Sequence, residues 1–338
     1  MTESVVPVID IAPFLASGRE DKVRVAAEVD AACREIGFLV IAGHGVAQAE
    51  IDEMRCVTRA FFDLPYWEKL RVKMPPDRYR GLMTVGSEDV AYSMDADEGA
   101  PDWRESFVIG PYDHAYDDYH YGPQGWRFFA ANLWPDRPAE MRPLWEAYYR
   151  KMERLAGDLM RIFACALGLP ELFFAAKIDR HITNFIASYY PPQPNPPLPG
   201  QLRCGAHADY GSLTIVSSDT PVGGLQVLGR GGTWADVPCI PGTFVINLGD
   251  LMAEWTNDRW RSTLHRVVNP PRVEAESSRL SLLFFHQPNY DAVIECLPSC
   301  TDDANPPRYA PITSGAHVAH KIDRSRRPLL EGAEAAAG

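Results

Sequence analysis

The sequence predicts a mainly β fold with helices: a jelly-roll or sandwich core, a mixed α/β N-terminal region and one long supporting helix. Three observations carry this reading. From Asn184 onward, short strand-like runs recur between Gly, Pro and Asp, the texture of a sandwich or jelly-roll barrel. Across residues 141–167, apolar side chains keep three- and four-residue spacing until Gly168-Leu169-Pro170 stops them. The N-terminal third mixes both periods.

In order along the chain, residues 5–11 form a short apolar run, and Ala26, Ala27, Val29, Ala32 and Ile36 then recur at helical spacing up to Gly37. FLVIAGHGV reads as a strand bounded by Gly43 and Gly45, followed by a second helix through Ile51, Met54, Phe61 and Phe62. Residues 79–121, rich in Gly, Asp and aromatics, read as irregular loops with a short strand at ESFVIG, a texture suited to covering a substrate. The stripe on the 141–167 helix reads as core packing. NFIASYY, GSLTIVSS, GGLQVLG, TWADVP, GTFVINLGD, STLHRVVNP and RLSLLFFHQP are the strands that follow, with the Pro-rich residues 191–199 as a loop between two of them. The tail from Arg324 reads as a fraying end.

The 338 residues are 46% apolar and 23% charged, which excludes disorder and fibres and fits one elaborated domain. Lys and Arg number 33 against 45 Asp and Glu, a net charge of -12 that repels nucleic-acid phosphates and anionic membranes. A small-molecule substrate is the partner this balance favours, and nothing implies a protein partner. With no targeting pattern at the N-terminus and no apolar run long enough to span a bilayer, the expected location is the cytoplasm. Seven cysteines, an odd number spread over a long chain, are expected to stay reduced. Cys296 and Cys300 lie close together, but no second pair completes a zinc site.

CGAHADYGSLTI sets His207 and Asp209 two apart, so an extended chain projects both from one face. A third ligand is needed, and His265 in STLHRVVNP supplies it from another strand. Two imidazoles and one carboxylate leave the opposite positions of a metal open, as in non-haem Fe(II) oxygenases. Arg279 and Ser281 are a second same-face pair. An inward guanidinium needs neutralising, and its fork matches a carboxylate through two parallel hydrogen bonds, with the Ser281 hydroxyl adding a third. A dicarboxylate such as 2-oxoglutarate meets that demand, its keto-acid end on the metal and its far carboxylate on Arg279. On the same strand Leu283 and Phe285 share the face of Arg279 while His286 falls on the other; Phe285 reads as core with a secondary role as a substrate contact. His44, His114, His120, His181, His317 and His320 have no ligand spacing, Asp250 reads as a turn residue, and Arg104 with Glu105 reads as a surface ion pair.

Together HADYGSLTI, GGLQV, GTFVINLGD, NDRWRSTLHRVVNP and SSRLSLLFFHQPN resemble the isopenicillin N synthase-like group of 2-oxoglutarate and Fe(II)-dependent dioxygenases. VPVIDIAPFL and GFLVIAGHGV resemble its N-terminal region, so the likeness runs to about Pro298. It implies a double-stranded β-helix, with His207, Asp209 and His265 as iron ligands and Arg279 and Ser281 as the clamp on the co-substrate. It adds Tyr190, matching the family Tyr that reaches the same carboxylate, puts Ser188 where many plant members have Asn, and sets Arg104 and Glu105 in a region that borders the substrate, the alternative to a surface ion pair. It further implies four regions: an N-terminal dioxygenase region at 1–125, a supporting helical region at 126–180, the Fe(II) and 2-oxoglutarate core at 181–298, and a C-terminal segment at 299–338. The implied activity consumes O2 and 2-oxoglutarate, releases succinate and CO2, and hydroxylates, desaturates or cyclises a small molecule. Two alternatives stay open: an isopenicillin N synthase-type oxidase that takes its electrons from the substrate alone, and a catalytically silent binding protein of the same fold.

Overall fold

The computed structural model describes residues 5–16, 18–86, 101–222 and 224–322. The tail from Arg324 and the middle of the 79–121 stretch lie outside them. In chain order the strands are β1 (Val8–Asp10), β2 (Phe38–Ala42), β3 (Gly81–Met83), β4 (Glu105–Ile109), β5 (Asn184–Tyr190), β6 (Cys204–His207) and β7 (Leu213–Ser218). They continue as β8 (Leu225–Leu228), β9 (Trp234–Asp236), β10 (Phe244–Leu248), β11 (His265–Val267), β12 (Arg279–His286), β13 (Val293–Ile294) and β14 (Ile312–Thr313).

Eight strands form a large sheet in the order β1-β2-β10-β7-β12-β5-β4-β3, and four form a smaller one, β6-β11-β8-β9. The jelly roll is therefore two separate sheets among the described residues rather than a closed barrel. β1 lies parallel to β2, and β2 runs antiparallel to β10, so the N-terminal region extends the sheet that carries the core.

The helix read at 141–167 spans Met141–Ala166, with Trp145, Tyr149, Met152, Leu155 and Leu159 among its buried residues. It packs on one face of the large sheet, where Tyr149 meets Phe284 edge to face at 5.1 Å. Leu280, Leu282 and Phe284 enter that same apolar cluster. The earlier helical patterns form Arg19–Glu35 and Gln48–Phe62. Gly37 ends the first at φ +68°, and a Cβ there would stand 2.1 Å from the Arg261 carbonyl oxygen, so only glycine fits this turn into β2.

Two sequence expectations give way here. Asp250 is not a turn residue; it opens the helix Asp250–Trp255 and pairs with Lys321 at 2.8 Å. A carboxylate in a first turn is favoured by the helix dipole. Arg104 and Glu105 do not form a surface ion pair, because neighbouring residues of an extended chain project to opposite sides. Glu105 pairs instead with Lys69 at 2.6 Å, both side chains 8% exposed, and Arg104 faces Asp102 at 3.4 Å.

Candidate active site

β6 ends at His207 and β11 begins at His265, and the two residues are direct partners across the small sheet. Their imidazole centroids lie 4.3 Å apart. The chain turns just after β6, which leaves Asp209 beside both rings: its Oδ1 is 3.7 Å from His207 Nε2 and 3.6 Å from His265 Nε2. One ligand atom from each residue falls within 4.8 Å of the others. The turn is held against Gly249, where a Cβ would stand 2.4 Å from the Gly211 carbonyl oxygen.

Hydrogen bonds around the three side chains leave one lone pair of each aimed at a common point. His207 Nδ1 lies 2.8 Å from the Gly205 carbonyl, and His265 Nδ1 lies 3.1 Å from that of Thr263, in each case two residues back along the chain. A carbonyl can only accept, so each Nδ1 carries the proton and each Nε2 is free to bind a metal. Asp209 Oδ2 accepts from Asn247 Nδ2 at 2.6 Å and from the Thr214 hydroxyl, which leaves Oδ1 facing the imidazoles. Burial, reinforced by His265, holds His207 below the ordinary imidazole range, which favours the neutral ring that a metal can bind. Burial opposes the Asp209 charge, but His265, His207, Thr214 and Asn247 outweigh it and hold the carboxyl below its ordinary range. This donor set fits a divalent first-row metal: two imidazole nitrogens, one carboxylate oxygen and second bonds already committed.

The other predicted group sits on the large sheet. Arg279 on β12 stands directly opposite Tyr190 on β5, and Ser281 is opposite both Ser188 on β5 and Ser218 on β7. Arg279 is buried, with one guanidinium nitrogen donating to Ser218 Oγ at 2.7 Å and the other to the Thr220 carbonyl. Its Nε has no partner, and among the described residues no carboxylate comes within 4 Å of the guanidinium. Burial depresses its pKa, the mark of a cation held without a close counter-ion. Ser281 Oγ is 3.1 Å from Ser218 Oγ. Tyr190, pushed up to about 12 by burial, packs with Cys204 and Val267, so its ring joins the Arg279 strand to the two strands bearing the histidines. Ser188 spends its hydroxyl on Ser106 at 3.3 Å.

A cleft opens over His207 and Asp209. Met83, Ile186, Phe285, Val318 and Ile322 supply its apolar wall, and Tyr79, Arg104, Asn184, Tyr210 and Gln287 its polar one. Phe285 thus faces the cleft, as the period of two along β12 requires, while His286 on the opposite face is buried against Ser212 Oγ at 2.7 Å. The remaining histidines lie apart from the three: His44 bonds the Gly242 carbonyl, His120 meets Asp117, His181 meets Glu153, and His317 faces Glu254. None of the seven cysteines is in a disulfide, and Cys296 Sγ contacts the Glu254 carbonyl.

The sequence reading missed Thr214, Asn247 and Ser218. Asn247 carried a signal, being the one polar residue inside the apolar run FVINL of β10. Thr214 and Ser218 carried none, since hydroxyls are common on strands.

Two sheets holding a His-Asp-His cluster beside a buried, carboxylate-free arginine define a non-haem iron oxygenase class of site. Comparison with known proteins gives the family. Residues 182–288 match the 2OG-Fe(II) oxygenase superfamily, and residues 6–137 match the N-terminal region described for a non-haem dioxygenase in morphine synthesis. Homoarginine-6-hydroxylase of Oryza sativa subsp. japonica is 35% identical across 94% of this chain and 96% of its own. Validamycin A dioxygenase of Streptomyces hygroscopicus subsp. limoneus is 34% identical across 86% of this chain and 79% of its own. Among solved structures, a full-length Neurospora crassa protein in complex with alpha-KG and thymine superposes with a TM-score of 0.82, at 28% identity, over 97% of this chain and 98% of that one. A 2OG-Fe(II) oxygenase family protein from Caulobacter crescentus gives 0.82 at 27% identity, over 95% and 99%. The chain belongs to the 2OG-Fe(II) oxygenase superfamily, and it is an oxidoreductase that uses Fe(II), 2-oxoglutarate and O2.

Proposed function

We propose that His207, Asp209 and His265 hold the Fe(II), that Arg279 with Ser281 and Tyr190 binds the far carboxylate of 2-oxoglutarate, and that the cleft admits a small-molecule substrate. The observation that carries the reading is the committed second bond on each ligand, which leaves Nε2, Nε2 and Oδ1 turned to one point. Bound there, Fe(II) supplies the activation of O2, coupled to conversion of 2-oxoglutarate into succinate and CO2.

The chain's own part is orientation and exclusion of water. Gly205 and Thr263 fix the tautomers of the two rings, and Asn247 and Thr214 hold the carboxylate. Arg279 offers the co-substrate a charge already stripped of water, and Ser281 and Tyr190 add hydroxyl contacts to the same group in this reading. Met83, Ile186 and Phe285 keep the cleft apolar beside the metal position. In this reading residues 181–298 hold iron and co-substrate, while 1–125 face the substrate; 126–180 support the sheet, and 299–338 include Val318 and Ile322 at the cleft. The proposed location is the cytoplasm, where an odd number of cysteines spread over a long chain stays reduced. The net charge of -12 argues against a nucleic-acid or anionic-membrane partner.

Two measurements test the proposal together. The purified chain is expected to bind one equivalent of Fe(II) and to release labelled CO2 from 2-oxoglutarate labelled at its keto-acid carboxyl. Fe(II) binding without CO2 release would favour the oxidase that takes its electrons from the substrate. A full iron equivalent retained by His207→Ala would remove the ligand assignment.

A further inference from the structure

We infer that Arg203 is a positioning residue for co-substrate binding: its guanidinium bridges the two loop segments that flank Arg279 and ties them to the strand that ends in His207. The inference rests on the proposed function, because it takes Arg279 as the group that binds the far carboxylate of 2-oxoglutarate.

Arg203 stands immediately before β6 and is fully buried. A guanidinium in such a place has lost its water and must spend its donors on protein acceptors. Nη1 donates to the Val222 carbonyl at 3.0 Å, and Nη2 donates to the Ser277 carbonyl at 2.6 Å. Those carbonyls belong to different parts of the chain: Val222 ends the 219–222 segment that follows β7, and Ser277 lies just ahead of Arg279 on the approach to β12. One side chain thus joins three stretches of sequence that meet only in the fold.

Arg279 leans on the same segment. Its Nη1 donates to the Thr220 carbonyl and its Nη2 to Ser218 Oγ at 2.7 Å. Two buried arginines therefore hold alternate carbonyls of one short segment, Thr220 and Val222, and a shift of the backbone between them strains the bonds to both. Asp219 pins the segment to β12 by accepting from the Leu280 amide at 3.0 Å, and its other oxygen takes Arg59. The two guanidiniums also feel each other's charge: burial first and then Arg279 lower Arg203 to about 10, while Tyr190 and Asp219 act in the opposite sense.

The expected role is selective. Without Arg203 the segment that aims the Arg279 fork loses an anchor, and so does its link to the His207 strand. Only a ligand long enough to touch both metal and fork senses that loss. A keto acid of the same chain length that ends in a methyl group, 2-oxovalerate, gains nothing from Arg279 and is indifferent to how it is aimed.

Binding is measured by anaerobic calorimetry on the Fe(II)-loaded chain, without turnover, with 2-oxoglutarate and 2-oxovalerate as probes; Fe(II) affinity is titrated separately. Arg203→Met is expected to weaken 2-oxoglutarate about tenfold or more, while Fe(II) and 2-oxovalerate stay within about threefold of the wild type. Arg203→Lys keeps the charge and can reach one carbonyl, so it should recover part of the affinity. Added to Arg279→Met, Arg203→Met should cost 2-oxoglutarate less than about threefold more, because the two residues act through one contact. Circular dichroism and melting temperature show whether each variant is folded, and Arg203→Lys carries the same comparison if Arg203→Met is not. Unchanged 2-oxoglutarate affinity in the folded variants, an equal loss for Fe(II) or 2-oxovalerate, or full additivity with Arg279→Met would overturn the inference. If Arg279→Met itself left 2-oxoglutarate binding intact, the proposed clamp would fall; weakening by Arg279→Met with none by Arg203→Met would remove this inference alone.

Discussion

The two faces of β12 differ in kind although they share one backbone. Leu280, Leu282, Phe284 and His286 project to the side of the long helix and are all buried, three in the main apolar cluster and the fourth bonded to Ser212. Arg279, Ser281, Leu283 and Phe285 project to the opposite side, where the first two meet a row of hydroxyls and the last borders the cleft. Alternation at a period of two lets one eight-residue strand pack the core on one side and, in the proposed function, hold the co-substrate on the other. Substitutions should therefore separate: the helix side costs folding free energy, and the site side costs affinity.

The largest effect expected on the site side is at Asp209. Asp209→Ala should abolish iron binding and turnover while the unfolding midpoint of the metal-free chain moves little, read by iron titration and thermal melting. A large loss of stability instead would break the separation. On the helix side, Phe284→Ala removes a buried ring from the contact with Tyr149 and should cost about 3–5 kcal/mol in denaturant unfolding. Arg279→Lys keeps the charge and loses the fork. One charge-assisted bond lost amounts to about 1.5–3 kcal/mol, a weakening of 2-oxoglutarate binding by roughly 10- to 150-fold, with stability near that of the wild type. Asn247→Ala takes one partner from Asp209 and should weaken iron binding about 10- to 100-fold.

A further effect sharpens the comparison through pH. Burial, with His181 nearby, lowers His286 to about 3, below the ordinary value near 6.5. Glu153 works in the opposite sense. As pH falls through 6.5 the unfolded chain takes up a proton that the folded chain refuses, so stability drops until about pH 3. The slope from this one group is at most about 1.4 kcal/mol per pH unit. Unfolding midpoints measured across that window should flatten in His286→Gln.

Much of this was legible in the sequence because the same alternation is written there. NFIASYY is β5 from end to end, and RLSLLFFH is β12, since β-branched, aromatic and leucine residues at a period of two leave little choice of register. That His207, Asp209 and His265 come together was legible from residue type and spacing, and that Arg279 and Ser281 share a face from the period of two. What was not legible depends on elements far apart in the chain. Lys69 meets Glu105, Arg80 meets Asn184, and Asn247 meets Asp209 only after β4, β5 and β10 have taken their places. A local pattern has no term for such contacts. The Arg104 and Glu105 reading failed for a simpler reason: adjacency in sequence was taken as adjacency in space, which an extended backbone denies.

The carbonyls of Gly205 and Thr263 have a consequence for which ion arrives. They prepare both imidazoles before any metal is present, so the socket is finished in advance and makes no demand that only ferrous iron can meet. Donors of this type bind Co(II), Ni(II) and Cu(II) more strongly than Fe(II) along the Irving–Williams order, and Zn(II) brings no redox chemistry. Selection of iron thus falls to supply rather than to shape, and any of those competitors would occupy the protein as a tight and inert plug.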